Sequence, residues 1–210
     1  LSEEKIAGFR NFTNKLWNIS RFMLLNIEEP SMDVGEPKAK TLADAWILEK
    51  LQSIVVKTSE HIEKFNFSMA GEELRDFTWG DLADWYLEIA KVEGGKSEIL
   101  NYILNTILKL WHPYMPFVTE HIWQHLPHEG DSIVVAKWPT ALPFTEQKEA
   151  ARQMQVMMDA IKGIRNMRAE MNVPLGKKAE VILVPTDESL MDTVSAHGDY
   201  FVTLAWAEKV

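Results

Sequence analysis

The chain has 210 residues, 46% of them apolar, and a formal net charge of −9, which suits one good core or a core with a small satellite domain. It contains no cysteine, which excludes disulfides, thiolate metal sites and cysteine nucleophiles and is compatible with a reducing compartment. No apolar run is long enough to span a membrane and no signal-peptide pattern opens the chain, so a cytoplasmic protein without a membrane partner is expected.

The first predicted element is a helix over about residues 3–26 with two distinct faces. Phe9, Phe12, Leu16, Ile19 and Met23 recur at helical spacing and suit a bundle core. Arg10, Asn14, Trp17 and Arg21 form a second stripe, roughly opposite. Guanidiniums, an amide and an indole on one exposed face can bind phosphate, read base edges and stack bases. Taken alone, the helix favours a plainer reading, with Trp17 in the core and the arginines in surface salt bridges.

Residues 28–40 carry two prolines, a glycine and many charges, which predicts an irregular excursion. Thr41 is placed to cap a long second helix carrying Ala43, Trp46, Ile47, Leu51, Ile54, Val55, Thr58, Ile62 and Phe65. Ser68 can cap a third, with Leu74, Phe77, Leu82, Trp85, Tyr86 and Ile89, which Gly94-Gly95 ends. Ser97 can cap a fourth, running from Ile99 to Trp111. Pro113 and Pro116 then predict a bend into a short fifth helix ending near Leu126.

The periodicity changes after that. Residues 132–136 read as a short strand, residues 145–171 as a long helix stopped by Asn172-Val173-Pro174, and residues 179–184 as the clearest strand. Asp187 can cap a further short helix. The expected fold is mainly α: a helical bundle over 1–127, a connecting segment with a short strand over 128–144, and a long basic helix with a small α/β piece over 145–210.

No glycine-rich phosphate loop occurs. His121 and His125 lie one helical turn apart beside Glu120 and near His128, yet no HExxH order accompanies them, and ordinary surface histidines are expected in place of a metal site. Asp81, Asp84 and Glu88 share a helix face, read as a solvated or salt-bridged surface rather than paired catalytic carboxylates. No catalytic residues are assigned, and the chain is not expected to be an enzyme by itself. Lys148, Arg152, Lys162, Arg165, Arg168, Lys177 and Lys178 stand against Glu149, Asp159 and Glu170, so the long helix and its exit loop are basic within an acidic chain. That asymmetry is what a local nucleic-acid contact needs, although the overall charge argues against indiscriminate binding. Arg168 falls inside the apolar stripe of Met157, Ile161, Ile164 and Met171, and is read as a structural tie compensated by a carboxylate or carbonyls.

Five blocks in order carry a resemblance over nearly the whole chain. They are residues 10–12 with 14–18 (Asn-Lys-Leu-Trp-Asn) and Arg21-Phe22; residues 42–44 with Trp46-Ile47-Leu48; residues 77–79 with 84–88 (Asp-Trp-Tyr-Leu-Glu) and Lys91; residues 112–120 with Ile122-Trp123; and residues 164–172. In these the chain resembles the tRNA anticodon-binding domain of the class I aminoacyl-tRNA synthetases, with the wording of the valyl branch, the isoleucyl relative remaining the nearest alternative. Ala83 and His121 depart from residues common in that family, a cysteine and a glutamate, and neither is expected to touch the arginine–amide–indole stripe.

The resemblance implies an excised recognition module, in keeping with Leu1 in place of a methionine. HIGH-like and KMSKS-like motifs are absent from the sequence, so ATP and Mg would belong to a catalytic domain of the same chain outside these residues. The implied partner is the anticodon stem-loop of valine tRNA. Arg10, Asn14, Trp17, Asn18 and Arg21 are the implied loop contacts, with Lys162, Arg165, Lys177 and Lys178 on the backbone. The rival expectation is an interdomain packing module that touches no RNA.

Overall fold

A computed structural model describes residues 3–28, 30–31, 37–128, 130–141, 148–174, 176–184 and 190–209, without the side chains of 4–6 and 148. Helix α1 (Glu3–Leu25) is followed by α2 (Leu42–Glu63), α3 (Phe67–Asp76), a π-helical segment (Phe77–Tyr86) and α4 (Leu87–Glu93). Then come α5 (Ser97–Trp111), α6 (Pro116–Trp123), a 3₁₀ turn (Ile133–Val135) and α7 (Lys148–Glu170). Strand β1 (Ala179–Glu180), α8 (Met191–Ala196), α9 (Gly198–Leu204) and β2 (Ala207–Lys209) complete the order. The fold is mainly α, as the periodicity predicts.

Burial of apolar stripes assembles it. Helix α2 packs against α7, α3 and the π segment, while α1 packs against α5 and α6. Phe12, Leu16, Ile19 and Met23 of α1 join Trp46, Leu51, Leu104, Trp123 and, from the later elements, Met157, Ile161 and Phe201 in one continuous core. Each such side chain contributes about 1.5–3 kcal/mol of transfer free energy on full burial. Thr41 caps α2 in full: its hydroxyl accepts from the Asp44 N–H, and the Asp44 carboxylate accepts from the Thr41 N–H. Gly94 and Gly95, at φ 64° and 62°, take the left-handed turn that closes α4.

Several local expectations give way. Phe9 is 64% exposed, so the core stripe of α1 begins at Phe12. Phe65 lies past the end of α2 at φ 59° and is 80% exposed. There the Phe65 N–H donates to Ile62 O and the Asn66 N–H to His61 O, a helix-ending turn that usually recruits glycine. Neither Ser68 nor Ser97 caps a helix: α3 begins at Phe67 after Asn66, and the Ser97 hydroxyl accepts from the Glu28 N–H, 3.0 Å away.

Residues 132–136 form a 3₁₀ turn instead of a strand. Glu120 accepts from both the Ser132 hydroxyl (2.7 Å) and the Ile133 N–H (3.1 Å), while Ser132 caps Val134. Those bonds satisfy the backbone locally and leave no extended ladder to form. The expected strand over 179–184 keeps two residues. Ala179 and Glu180 pair in parallel with Ala207 and Lys209 across a register irregularity, and Ile182 and Val184 are exposed. Met171, likewise exposed, drops out of the α7 stripe. Asp187 and residues 145–147 lie outside the described residues.

The π segment is the largest departure. The Leu87 N–H donates to Leu82 O, five residues back, in place of the usual four. The Thr78 hydroxyl bonds back to Leu74 O at 2.7 Å and accepts from the Trp111 indole N–H at 3.0 Å. This keys α5 into the widened turn and turns Trp79, Asp81, Asp84 and Glu88 outward, while Phe77, Thr78, Leu82 and Tyr86 are buried.

Candidate nucleic-acid interface

Packing of α1 on α5 and α6 leaves one of its faces outward. Arg10, Asn14, Trp17, Asn18 and Arg21 are all exposed on it. Trp17 is 41% exposed, which removes the reading that places it in the core. Contrary to the expectation that His121 lies clear of this stripe, the Trp17 ring stacks on it across the α1–α6 contact (centroids 5.5 Å, planes 25° apart), and His121 in turn meets His125 at 5.1 Å. Neither Arg10 nor Arg21 has an ion-pair or hydrogen-bond partner among the described residues.

The opposite flank of α1 is neutralised. Lys15 sits 5.0 Å over the Trp79 ring and 3.4 Å from Asp84. Lys50 reaches Asp81 (3.7 Å) and Lys91 reaches Glu88 (2.5 Å), so the acidic face of the π segment and α4 is salt-bridged, as expected. Burial pushes the Asp81 carboxyl above its ordinary range, with Lys50 and Lys162 pulling it back down.

The basic residues of α7 are differently disposed. Arg165 lies over Trp85 (5.1 Å) and Trp206 (5.8 Å), and its Nε–H donates to Leu204 O at 2.7 Å. Burial lowers its pKa, opposed by Asp84 and Glu88. Lys162 also lies over Trp85 (5.7 Å) and pairs with Asp159 (3.8 Å). Arg168 is buried and donates to Lys177 O (2.6 Å) and Pro174 O (3.3 Å), so it ties the exit loop to α7 through carbonyls. Lys177 and Lys178 are exposed on that loop. Arg165 and Lys162 therefore converge on Trp85, whereas the hydrogen bonds and ion pairs of the described residues do not join Lys177 or Lys178 to α1.

Two features escape a reading of the sequence. The first is a buried polar network. The Asp44 carboxylate accepts from the Tyr86 hydroxyl (2.9 Å), Lys96 Nζ (2.7 Å) and the Lys40 N–H (3.1 Å). Lys96 also meets Glu93, which accepts from the Tyr200 hydroxyl and so joins α9 to the bundle. Burial and the adjoining Asp44 push the Tyr86 phenol far above its usual range; burial and the Glu93 hydrogen bond do the same to Tyr200. The second is a groove of about 780 Å³ between α1, α3 and the turn after α5, with Phe9, Arg10, Phe67, Glu72 and Tyr114 in its lining.

Among the described residues no group of three or more His, Asp or Glu side chains is arranged to hold a metal ion. The Glu120 carboxyl is held below its ordinary range by hydrogen bonds from Gln124 and Ser132. No helix among the described residues is long and apolar enough to cross a membrane.

The chain is 40% identical, over 95% of its length, to the valine–tRNA ligase of Bacillus thuringiensis subsp. konkukian. It is 41% identical over 98% of its length to that of Carboxydothermus hydrogenoformans, and 37% over 95% to that of Bacillus subtilis. In each case it spans 24% of the relative's length. The family described as the anticodon-binding domain of tRNA ligase matches residues 44–183, and with two-thirds of its residues inside that match this chain belongs to the family.

Proposed function

We propose that this chain docks the anticodon stem and loop of valine tRNA and so positions the acceptor end in the catalytic domain of a valine–tRNA ligase. That catalytic domain would use ATP and Mg to activate valine and transfer it to the tRNA. The valine–tRNA ligases at about 40% identity support the choice of tRNA. The observation that carries the RNA contact is the outward face of α1, where Arg10 and Arg21 lie exposed without partners among the described residues and flank the exposed ring of Trp17.

Arg10 and Arg21 contact phosphates or bases, Asn14 and Asn18 read base edges, and Trp17 with His121 behind it offers a stacking surface. Lys162, Arg165, Lys177 and Lys178 add backbone contacts from the α7 side. In the full-length ligase, combining Arg10→Ala with Trp17→Ala is expected to weaken tRNA binding and to erase discrimination between native and anticodon-altered tRNA in aminoacylation assays. Wild-type charging of both tRNAs would remove the assignment.

The exposed Phe9, Phe67 and Phe117 favour one rival, a face that packs on another domain of the ligase. Salt separates the two, because phosphate contacts weaken steeply as salt rises and an apolar seam does not.

A further inference from the structure

Trp17 stands at one end of a row of three exposed rings that continues through His121 to His125. The Trp17 and His121 centroids, 5.5 Å apart, lie within the range of about 4.5–7 Å usual for offset aromatic pairs. His125 follows at 5.1 Å with its plane tilted by 55°. The far end is anchored. Facing a carbonyl, His125 Nδ1 can only donate, and it does so to His121 O at 2.8 Å. Core packing does not require this row, because α6 buries Thr119, Ile122 and Trp123. Ordering three exposed rings costs side-chain entropy that folding alone does not call for.

The His121 ring has no hydrogen bond or ion pair among the described residues, which leaves the rings on either side as its contacts. It shares a hollow of about 420 Å³ with His112, Phe117, Glu120 and Gln124. Glu120 is engaged elsewhere, by Gln124, Ser132 and the Ile133 N–H. Those bonds hold its carboxyl below the ordinary range, so its charge is constant over about pH 5–8, where histidine titrates. The elements packed against α6 also carry Arg10, Lys15 and Arg21 on α1, Lys109 and His112 at the end of α5, and Asp131 ahead of the 3₁₀ turn. Burial lowers the Lys109 ammonium from its ordinary range.

We propose that His121 is a positioning residue for RNA docking: its protonated ring, stacked on the Trp17 indole, fixes that indole through a cation–π contact, so docking strengthens as pH falls. The inference rests on the RNA-docking reading above and adds to it a residue that acts only through Trp17. An indole already held by its neighbour has less rotamer freedom to lose when RNA arrives, and that saving appears as affinity. Protonation adds an attraction between the cation and the indole π-system that a neutral ring lacks.

The test measures affinity for a valine tRNA transcript with the full-length ligase, at constant ionic strength, between about pH 5.5 and 8. Wild type is expected to bind about 2- to 5-fold more tightly at the acid end, the factor for one exposed cation–π contact. His121→Phe keeps an aromatic ring on the indole, so it should match wild type at the alkaline end and lose the pH response. His121→Ala should bind more weakly throughout, and in a Trp17→Ala background it should change nothing further. His112→Asn, His125→Phe and Lys109→Arg should all keep the response; its loss in any of them assigns the proton elsewhere and overturns the proposal. A flat wild-type profile, a response that survives in His121→Phe, or an effect of His121→Ala that persists without Trp17 overturns it as well. If Trp17→Ala weakens binding and His121→Ala does not, this inference fails and the RNA reading survives. If neither Trp17→Ala nor the arginine variants of α1 change affinity, both fall together.

Discussion

Helices α1 and α7 are each 23 residues long, each carries arginines on one side, and each packs a second side into the same core. Their guanidiniums have opposite fates. On α1, Arg10 and Arg21 are exposed and bond to no acceptor among the described residues. On α7, Arg165 and Arg168 are drawn down onto carbonyls of Leu204, Pro174 and Lys177 by the chain that returns after the helix. Lys96 is the extreme of the second kind, with its ammonium buried among Asp44, Glu93 and Thr41. Charge count therefore does not identify a binding face. What distinguishes the two helices is whether returning backbone has already supplied acceptors, since a guanidinium that spends even one of its nitrogens on an internal carbonyl is held in place by it and has fewer donors left for phosphate.

The comparison breaks most visibly at the inward charges. Lys96→Met leaves the Asp44 carboxylate buried without its cation, and should lower stability by about 3–5 kcal/mol, read as a shift in denaturant midpoint. Loss under 1 kcal/mol would mean that the network contributes little to holding Tyr200 and α9 on the bundle. Arg168→Met keeps the stem of the side chain but removes the donor to the Lys177 carbonyl, whereas Pro174 O keeps the Lys177 N–H, 3.0 Å away. About 1–3 kcal/mol should be lost, with amide hydrogen exchange rising in the exit loop before it rises elsewhere. Unchanged exchange at residues 173–178 would show that the loop is held by other contacts.

The sequence is legible where one face of a helix answers to one environment. The burial of Phe12, Leu16, Ile19 and Met23, the cap at Thr41 and the double-glycine stop all follow from local chemistry, and so does the enclosure of Arg168. It is illegible where the decisive partner is distant in the chain. Ser97 fails as a cap because Glu28 takes its hydroxyl, and residues 132–136 fold into a turn because Glu120 takes their donors. Lys96 carries no local sign of the aspartate 52 residues away. The π segment lies between these cases. Leu74, Thr78, Leu82, Tyr86 and Ala90 are buried at intervals of four, a spacing wider than a regular α-helix keeps over that length, so the signal is present but easily absorbed into an ordinary helical stripe. At the candidate site the stripe on α1 is readable from spacing. The groove is not, because Phe67, Glu72 and Tyr114 reach Arg10 only through the packing of α1 beside α3 and the turn after α5.

The smallest stability effect belongs to the outward charges and gives the comparison its sharpest form. Arg10→Ala and Arg21→Ala remove groups that contact no acceptor among the described residues, so each should change unfolding free energy by no more than about 0.5 kcal/mol. Binding is where they should register. If each guanidinium neutralises one phosphate, each substitution should reduce the slope of log affinity against log salt by about 0.7–0.9, whereas Arg168→Met in a refolded, native-like sample should leave the slope unchanged. Measuring both slopes on the same tRNA decides the matter without reference to absolute affinity. Equal slopes in all three variants would mean that the outward arginines of α1 are only solvated, and that the phosphate contacts lie on the α7 side, among Lys162, Lys177 and Lys178.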